Sequence, residues 1–233
     1  MDAFELFWRN SNLTPASLRP FATRVQSYVA SERPRVCTFA APDVALARPD
    51  DRLARLVDRR RSVRSFAPGA LSVRQLGRLL AAVSARPDGG RSYPSAGALY
   101  PLEVFCLTGE VAGGLGHSVL CYNPDDHSVT PVGPLAPWPD WSDAINLTTD
   151  GAPQVVFAFV LFVDQMLEKY GDLGGRLALI EVGHAAQNLA LRLAADGLVG
   201  CEAGGVVEPT LLSLLHLDGT EARVALAYAC GTP

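Results

Sequence analysis

The segment Gln154–Asp164 is apolar almost throughout and is rich in valine and phenylalanine. A continuous run of this kind predicts a strand whose two faces are both covered by other elements. The longest predicted helix, Leu177–Asp196, follows it and carries small residues that permit close packing against a neighbouring element. A buried strand combined with a long helix predicts an α+β domain, in which helices cover a sheet.

Shorter patterns place further elements around this core. Leucines at helical spacing predict a helix over Val73–Ala85, with Ser72 as its N-cap. The segment Asp51–Arg59 has the same period, with its apolar residues on one face. The segments predicted as strands are Pro101–Leu107, Val119–Tyr122, Val129–Val132 and Arg223–Tyr228.

The first fifty residues differ in composition from the rest. Two helix candidates, Asp2–Asn10 and Ser17–Ser31, precede a connector rich in proline and alanine, Arg33–Asp50. Too little chain precedes this connector to form an independent core. We therefore expect residues 1–50 to be an N-terminal helical arm and residues 51–233 to be one cofactor-binding domain.

The composition of the 233-residue chain limits the classes of partner and site. Its formal net charge of -4 gives no reason to invoke nucleic acid. No apolar run is long enough for a membrane-spanning helix, and the N-terminus lacks the positive start of a secretory signal. The 5 cysteines lack Cys-x-x-Cys spacing, and the 4 histidines have no metal-ligand spacing. The sequence therefore predicts a cytoplasmic protein with isolated thiols and without a metal site.

A basic segment, Arg60–Phe66, lies upstream of the helix predicted at Val73–Ala85. Its residues, Arg-Arg-Ser-Val-Arg-Ser-Phe, concentrate donors suited to phosphate, since a guanidinium group can bind phosphate through two parallel hydrogen bonds. Val63 and Phe66 alternate with these donors and would point inward. The alternative is a solvated basic patch around Arg59–Arg61.

Further along the chain, the segment Tyr93–Pro101 is built mainly of small residues. Serine, alanine and glycine at its centre let backbone N–H groups approach a flat or anionic ligand. Together with the basic segment, this loop predicts a site for a phosphorylated, planar cofactor. An ordinary tight turn is the alternative.

These two motifs resemble the opening of the nitroreductase superfamily of FMN enzymes. The second half of the chain is similar to the central helix of that family around Gly183–Leu189, and to its second flavin-contacting loop, which ends at Gly204-Gly205. The loop Pro94–Pro101 and the triplet Lys169-Tyr170-Gly171 resemble one branch, the SagB-type dehydrogenases, which oxidise azolines in modified peptides.

The resemblance implies a nitroreductase-like fold, with a mixed, mainly antiparallel sheet flanked by helices. It also implies a homodimer that binds FMN without a covalent bond at the subunit interface. The matching residues are Arg60, Arg61, Ser62 and Arg64 in the first segment, Ser95, Ala96, Gly97 and Leu99 in the loop, and Gly204 and Gly205 in the second loop. Many nitroreductases hold the flavin phosphate with a basic pair near the C-terminus, but no basic residue follows Arg223 here. The phosphate would therefore rely on the three arginines, with help from the other subunit.

The same resemblance assigns catalysis to Lys169 and Tyr170. Tyr170 would remove or relay a proton from the azoline ring, and Lys169 would place a positive charge near the phenol. The alternative is that the two residues simply end a helix, where lysine is favoured. On the central helix, His184 and Asn188 are interpreted as core or interface residues rather than catalytic ones.

Three functions remain open at this point. The sequence favours an FMN-dependent oxidase or dehydrogenase that converts a thiazoline or oxazoline to the azole. Its substrate would be carried by a peptide or carrier protein, and its partner would be a cyclodehydratase or synthetase. The alternatives are an NAD(P)H-dependent nitro or quinone reductase, and a non-catalytic subunit of a biosynthetic complex.

Overall fold

The computed structural model describes residues 3–27 and 46–233. Six strands form one sheet in the order β3-β2-β1-β4-β6-β5, and every neighbouring pair is antiparallel. The strands are β1 Leu102–Thr108, β2 Ser118–Asn123, β3 Ser128–Pro134, β4 Val155–Leu161, β5 Val199–Ala203 and β6 Arg223–Gly231. The helices are α1 Ala3–Ser11, α2 Leu18–Ser27, α3 Arg52–Arg59, α4 Val73–Leu80, α5 Asp164–Tyr170, α6 Asp172–Asp196 and α7 Glu208–Leu214.

The segment predicted to be a buried strand is β4, at the centre of the sheet between β1 and β6. All of its residues are buried. Phe157 and Phe159 join an apolar cluster with α4 and α6, while Val156 and Val160 join a second cluster with α7 on the other face. The predicted α+β class, with helices flanking a mainly antiparallel sheet, is confirmed. Parallel pairing among the described residues is limited to isolated bridges, such as that between Ser62 and Gly200.

The long central helix starts earlier than the sequence indicated, because α6 begins directly after Gly171. Most of the small residues that predicted close packing are buried, including Ala178, Ala185 and Ala186, whereas Gly183 is exposed. Near its start, Gly175 has no side chain at the place where the ring of Phe4 packs. Close packing against both the sheet and α1 therefore depends on the absence of large side chains.

Ser72 caps α4 as predicted. Its side chain accepts a hydrogen bond from the backbone N–H of Gln75, and the Gln75 side chain accepts one from the backbone N–H of Ser72, which is a capping box. The predicted helix over Val73–Ala85 ends sooner than expected. The α-helical part stops at Leu80, and one 3-10 turn, Ala81–Val83, follows.

The first helix of the predicted N-terminal arm packs onto the domain. Phe4 and Trp8 are buried in the cluster that contains α6. The Trp8 indole N–H donates to the carboxylate of Glu208 at 3.0 Å, and Arg223 forms an ion pair with Glu5 at 2.8 Å. The predicted connector Arg33–Asp50 lies outside the described residues as far as residue 45.

Two short helices and one strand were not predicted. The helices are α5 and α7, and the strand is β5, which the resemblance had placed within a loop. β5 contains glycine and cysteine and too few residues for a clear alternation, so its strand conformation depends on pairing with β6. The helix α3 was predicted, but its apolar side chains Leu53 and Val57 are exposed, at 62% and 48%.

The four cysteines within the described residues are free thiols. Cys106, Cys201 and Cys230 are buried and free, and Cys121 is half-buried, while Cys37 lies outside the described residues. Burial raises the pKa of the thiol groups of Cys106 and Cys230, which keeps them protonated. Within residues 3–27 and 46–233, no helix is both long and apolar enough to cross a bilayer.

Candidate active site

The small-residue loop between α4 and β1 holds a strained backbone. Gly97 has φ +62°, and two residues with side chains, Ala98 and Tyr100, also have positive φ, at 55° and 48°. For residues with side chains, here Ala98 and Tyr100, such a conformation costs about 1–3 kcal/mol and persists where the surroundings enforce it. The surroundings therefore hold the loop in a defined conformation.

Three hydrogen bonds and one cation–π contact hold this loop in place. The Ser95 hydroxyl oxygen accepts a hydrogen bond from the backbone N–H of Tyr100 at 3.0 Å. The Tyr100 hydroxyl accepts one from the backbone N–H of Arg91 at 3.2 Å, and the Arg91 guanidinium lies 5.4 Å from the Tyr100 ring centre. On α6, the Asn188 side chain donates to the carbonyl of Ser92 at 2.8 Å. Asn188 therefore positions the loop from the helix, which gives this polar residue a structural role.

Lys169 and Tyr170 lie against the loop. They form the C-terminal end of α5, before Gly171 breaks the helix. A β-carbon at residue 97 would stand 2.5 Å from both the Lys169 Nζ and the Tyr170 hydroxyl, so a larger residue at this position would displace the ends of both side chains. The Lys169 Nζ lies 5.3 Å from the Tyr170 ring centre. Lys169 and Tyr170 therefore end a helix, and they also contact the loop that the sequence predicted to bind the flavin.

The basic segment Arg60–Phe66 is fixed against the sheet. The backbone N–H of Val63 donates to the carbonyl of Gly200 at 2.9 Å, and Ser62 forms a parallel bridge with the same residue. Further along, the backbone N–H of Phe66 donates to the carbonyl of Asp150 at 2.7 Å, and Phe66 is buried. The predicted alternation of inward apolar residues and outward donors therefore holds, with Val63 half-buried and Arg64 exposed.

The donors of this segment suit an anionic group. Within the described part of the chain, the guanidinium groups of Arg60, Arg61 and Arg64 form no ion pair with a carboxylate. Arg60 donates to the Ser62 hydroxyl at 3.4 Å, and Arg61 donates to backbone carbonyls. Burial raises the pKa of the Cys201 thiol, and the charge of Arg64 opposes that shift, which places Arg64 near β5. Three guanidinium groups without a carboxylate partner fit a phosphate.

Gly204 and Gly205 follow the other end of β5. Gly204 is exposed, and a β-carbon there would meet no atom within 4 Å. Gly205 is more enclosed, since a β-carbon would lie 3.1 Å from Leu13 and 3.3 Å from the Asn146 side chain. The basic segment and the Gly-Gly turn therefore lie along the same edge strand, β5.

The predicted site residues form two groups in the chain. One group joins Arg60, Arg61, Ser62 and Arg64 to β5, and the other joins the loop 95–99 to Lys169 and Tyr170. In residues 3–27 and 46–233, no hydrogen bond or ion pair links the first group to the second. A ligand that needs both groups would therefore have to bridge them, or take one of them from a second chain.

One polar residue of this region was not predicted from the sequence. Glu181 on α6 is 2% exposed, and both of its carboxylate oxygens are buried without a hydrogen-bond partner. Burial raises its pKa to about 7, and the Ser95 hydroxyl opposes this shift. Glu181 lies three residues after Ala178 and four before Ala185, which places it on the small-residue side of the predicted helix. This spacing was the sequence signal for its burial.

The comparisons with known proteins show the family to which the chain belongs. The family model for the nitroreductase family matches residues 57–232. Protein MJ1384 of Methanocaldococcus jannaschii, which carries the nitroreductase name, is 30% identical over 76% of this chain and 88% of its own length. The microcin B17-processing protein McbC of Escherichia coli is 30% identical over 64% of this chain, which spans only 57% of McbC.

A solved structure shows the same fold. The E. coli microcin synthetase McbBCD complex, with truncated pro-MccB17 bound, contains a chain that superposes with a TM-score of 0.67 at 21% identity, over 96% of each chain. The resemblance to the nitroreductase superfamily is confirmed, and the similarity to McbC supports the SagB-type branch. The predicted oxidoreductase class is confirmed with it, because the chain belongs to the nitroreductase family.

Proposed function

We propose that this protein is an FMN-dependent oxidase or dehydrogenase that oxidises a thiazoline or oxazoline to the azole in a peptide natural-product pathway. The observation that supports this most directly is the meeting of Gly97 with Lys169 and Tyr170. A loop suited to a flat ligand and a Lys-Tyr pair suited to proton removal share one location. The similarity to McbC supports the same function, since that protein processes microcin B17.

The chain's own residues would hold FMN in defined roles. Arg60, Arg61, Ser62 and Arg64 would bind the phosphate, because their donors lack carboxylate partners within the described residues. The loop residues Ser95, Ala96, Gly97 and Leu99 would lie along the ring system. Gly204 and Gly205 would offer backbone N–H groups at the end of β5. FMN, when bound, supplies the two-electron acceptor for the oxidation.

The proton chemistry belongs to the end of α5. In the proposed oxidation the substrate ring loses a proton from one carbon and a hydride from the neighbouring carbon. Tyr170 would accept or relay the proton, since its hydroxyl reaches the loop at Gly97. Lys169 would place a positive charge beside the proton acceptor, because its ammonium group lies over the same ring. Molecular oxygen would then accept the two electrons and complete the cycle.

A homodimer is part of this proposal. The two groups of site residues share no hydrogen bond or ion pair within the described part of the chain, and we propose that a second copy contributes residues to each site. Exposed apolar side chains on α3 and α6 support such an interface: Leu53, Val57, Leu173 and Ile180 are 48% to 62% exposed. Large apolar side chains grouped on neighbouring helices are typical of surfaces that another chain covers.

The proposal also includes a partner and a cellular location. McbBCD is a synthetase complex that binds a pro-peptide. We propose that this chain also acts on a peptide or carrier-bound heterocycle together with a cyclodehydratase or synthetase, in the cytoplasm.

The test of this function is a single-turnover reaction. The purified protein, reconstituted with FMN under anaerobic conditions, is mixed with a synthetic thiazoline peptide, and loss of the oxidised flavin absorbance is followed. Reduction of the flavin together with formation of the thiazole is the expected result. Flavin reduction by NADH, with no reaction of the peptide, would assign the protein to the nitro or quinone reductases instead. A stable complex with a synthetase and no FMN binding would indicate the non-catalytic subunit.

A further inference from the structure

The N-terminal arm crosses the Gly204–Gly205 turn, and the function proposed above gives the arm no role. Leu13, which follows α1, forms a parallel bridge with Val207, two residues after the turn. A β-carbon at Gly205 would lie 3.1 Å from the Leu13 side chain and 3.9 Å from the ring of Phe21 on α2. Two apolar side chains of the arm therefore lie against this glycine.

The first helix of the arm is fixed beside the same turn. The carboxylate of Glu208, directly after Val207, accepts a hydrogen bond from the Trp8 indole N–H at 3.0 Å and another from the Asn12 side-chain amide. The same carboxylate accepts one from the backbone N–H of Val224 on β6 at 2.8 Å. The end of α1 is thus bound to the segment that follows the turn.

The second helix of the arm is held by far fewer contacts. No residue of α2 is buried, and the side chains of Phe21 and Val25 are exposed. A short helix that buries little apolar surface gains little stability from packing, so it opens more readily than the rest of the fold. We therefore expect α2 to leave the turn more easily than α1 does.

A cavity of about 530 Å³ separates α2 from the segment that precedes β4. Asn146 lines this cavity, and its side-chain nitrogen would lie 3.3 Å from a β-carbon at Gly205. Gly204, in contrast, is exposed. The arm and Asn146 therefore cover one residue of the turn and leave the other open to a ligand.

This arrangement suits a turn that binds a ligand through its backbone. Apolar side chains against a hydrogen-bond donor exclude water from one side of it and restrict its orientation. A donor held in this way binds a ligand more strongly, because it needs no reorganisation on binding and its electrostatic interaction is less screened. Leu13 and Phe21 provide such a cover for Gly205.

We propose that Leu13 and Phe21 are positioning residues: by closing over Gly205 they hold the Gly204–Gly205 turn in the conformation that binds FMN, and α2 acts as a lid on this turn. The inference rests on the proposed function, in which the turn contacts FMN. Closure of the lid and binding of FMN then favour each other by the same factor, because coupling between two equilibria is reciprocal.

The first test measures FMN affinity, by quenching of FMN fluorescence on titration with the full chain freed of flavin. The variants are Phe21→Ala and Leu13→Ala, and the matched control is Val25→Ala, which shortens the other exposed apolar side chain of α2. We expect the first two variants to bind FMN about tenfold more weakly, a loss typical of one hydrogen bond, and the control to bind it unchanged. Phe21 is exposed, so its variant provides the test if Leu13→Ala does not fold.

The second test examines the contact itself through Gly205→Ala. The added methyl group would lie 3.1 Å from Leu13, closer than ordinary van der Waals contact, and should weaken FMN binding. Leu13→Ala makes room for this methyl group, so the double variant should bind FMN more tightly than the two separate losses predict. Additive losses would show that Leu13 does not act through Gly205.

Hydrogen exchange, followed by mass spectrometry, gives a readout that a purely structural role would not change. Saturating FMN should slow the exchange of the α2 amides by about tenfold in the unmodified protein and in Val25→Ala, which is the factor expected for affinity. In Phe21→Ala, FMN should slow this exchange much less, because the contact that couples α2 to the turn is missing.

The outcomes separate this inference from the proposed function. Unchanged FMN affinity in both Phe21→Ala and Leu13→Ala, or unchanged exchange of α2 on addition of FMN, would overturn the inference and leave the proposed function untouched. If the unmodified protein binds no FMN, the proposed function fails and the inference fails with it.

Discussion

The hydroxyl group of Tyr170 lies against the backbone of Gly97, at a point where a β-carbon would stand 2.5 Å away. Residue 97 belongs to the loop before β1 and Tyr170 to the end of α5, so two segments distant in sequence meet with no room for a side chain. Gly97 also has φ +62°, which residues with side chains adopt only with strain.

Substitution of Gly97 by alanine is expected to abolish azoline oxidation. The added methyl group would displace Lys169 and Tyr170, and the backbone strain would add about 1 kcal/mol of instability. Gly219→Ala is the matched control, because Gly219 has φ +72° and open space around it. Stability and the rate of flavin reduction should be measured for both variants. Equal rates would show that the contact at Gly97 is not needed.

Tyr170→Phe is expected to slow peptide oxidation by about 10²–10⁴-fold, since it removes only the proton-accepting hydroxyl. The flavin spectrum should be unchanged. Lys169→Ala should slow the same step, because it removes the positive charge over the ring. Glu168→Ala, an exposed neighbour on α5, is the control. Rapid mixing with a thiazoline peptide measures these rates, and an unaffected Tyr170→Phe variant would favour a nitro or quinone reductase.

Arg60→Ala is expected to weaken FMN retention by about 1.5–3 kcal/mol, the value of a hydrogen bond to a charged group. Arg74→Ala removes an exposed arginine of α4 and should leave retention unchanged. The dissociation constant of FMN, measured by fluorescence for each variant, shows whether the two variants differ in retention. Equal losses in both variants would mean that only overall charge matters.

Glu181→Gln is expected to change how stability depends on pH. The pKa of Glu181 rises from 4.5 to about 7 on folding, so the folded state binds more protons than the unfolded state between these values. The stability that the protonated group contributes is complete below pH 4.5 and is lost as the pH rises toward 7. Glu181→Gln has no carboxyl group to titrate, so the variant cannot lose this stability. The free energy of unfolding of the variant, relative to that of the unmodified protein, should therefore grow by roughly 3 kcal/mol as the pH rises from 4.5 to 7.

Denaturant unfolding at pH 5 and pH 8 measures this difference, with Glu103→Gln as a partly buried comparison. Parallel changes in the unmodified protein and in Glu181→Gln would show that Glu181 is charged in the folded state throughout.

Ile180→Asp is expected to separate the proposed homodimer into monomers. Ile180 is 49% exposed on α6, and a charge at the centre of an apolar interface is costly. Val132→Asp, on the edge strand β3, is the control. Sedimentation velocity gives the mass of each. A monomeric, FMN-saturated and active unmodified protein would contradict the shared site.

The sequence by itself determined the main elements and the family. The apolar run at β4, the leucine spacing of α4 and the small residues of α6 are local patterns, and each predicted its element to within a few residues. The boundaries moved where capping and tertiary contacts decide them, as at Leu80 and Gly171. The candidate site residues were predicted from the resemblance to a family, because the order of motifs along the chain can be read from the sequence alone.

The tertiary structure alone decided which of these residues meet. Gly97 reaches Lys169 and Tyr170, whereas the arginines join β5 instead, and no local pattern encodes either contact. β5 is a strand only because β6 offers it hydrogen bonds. Glu181 is the clearest case: whether a glutamate on α6 is solvated or buried depends on what packs over it, and that is set by segments far away in the sequence.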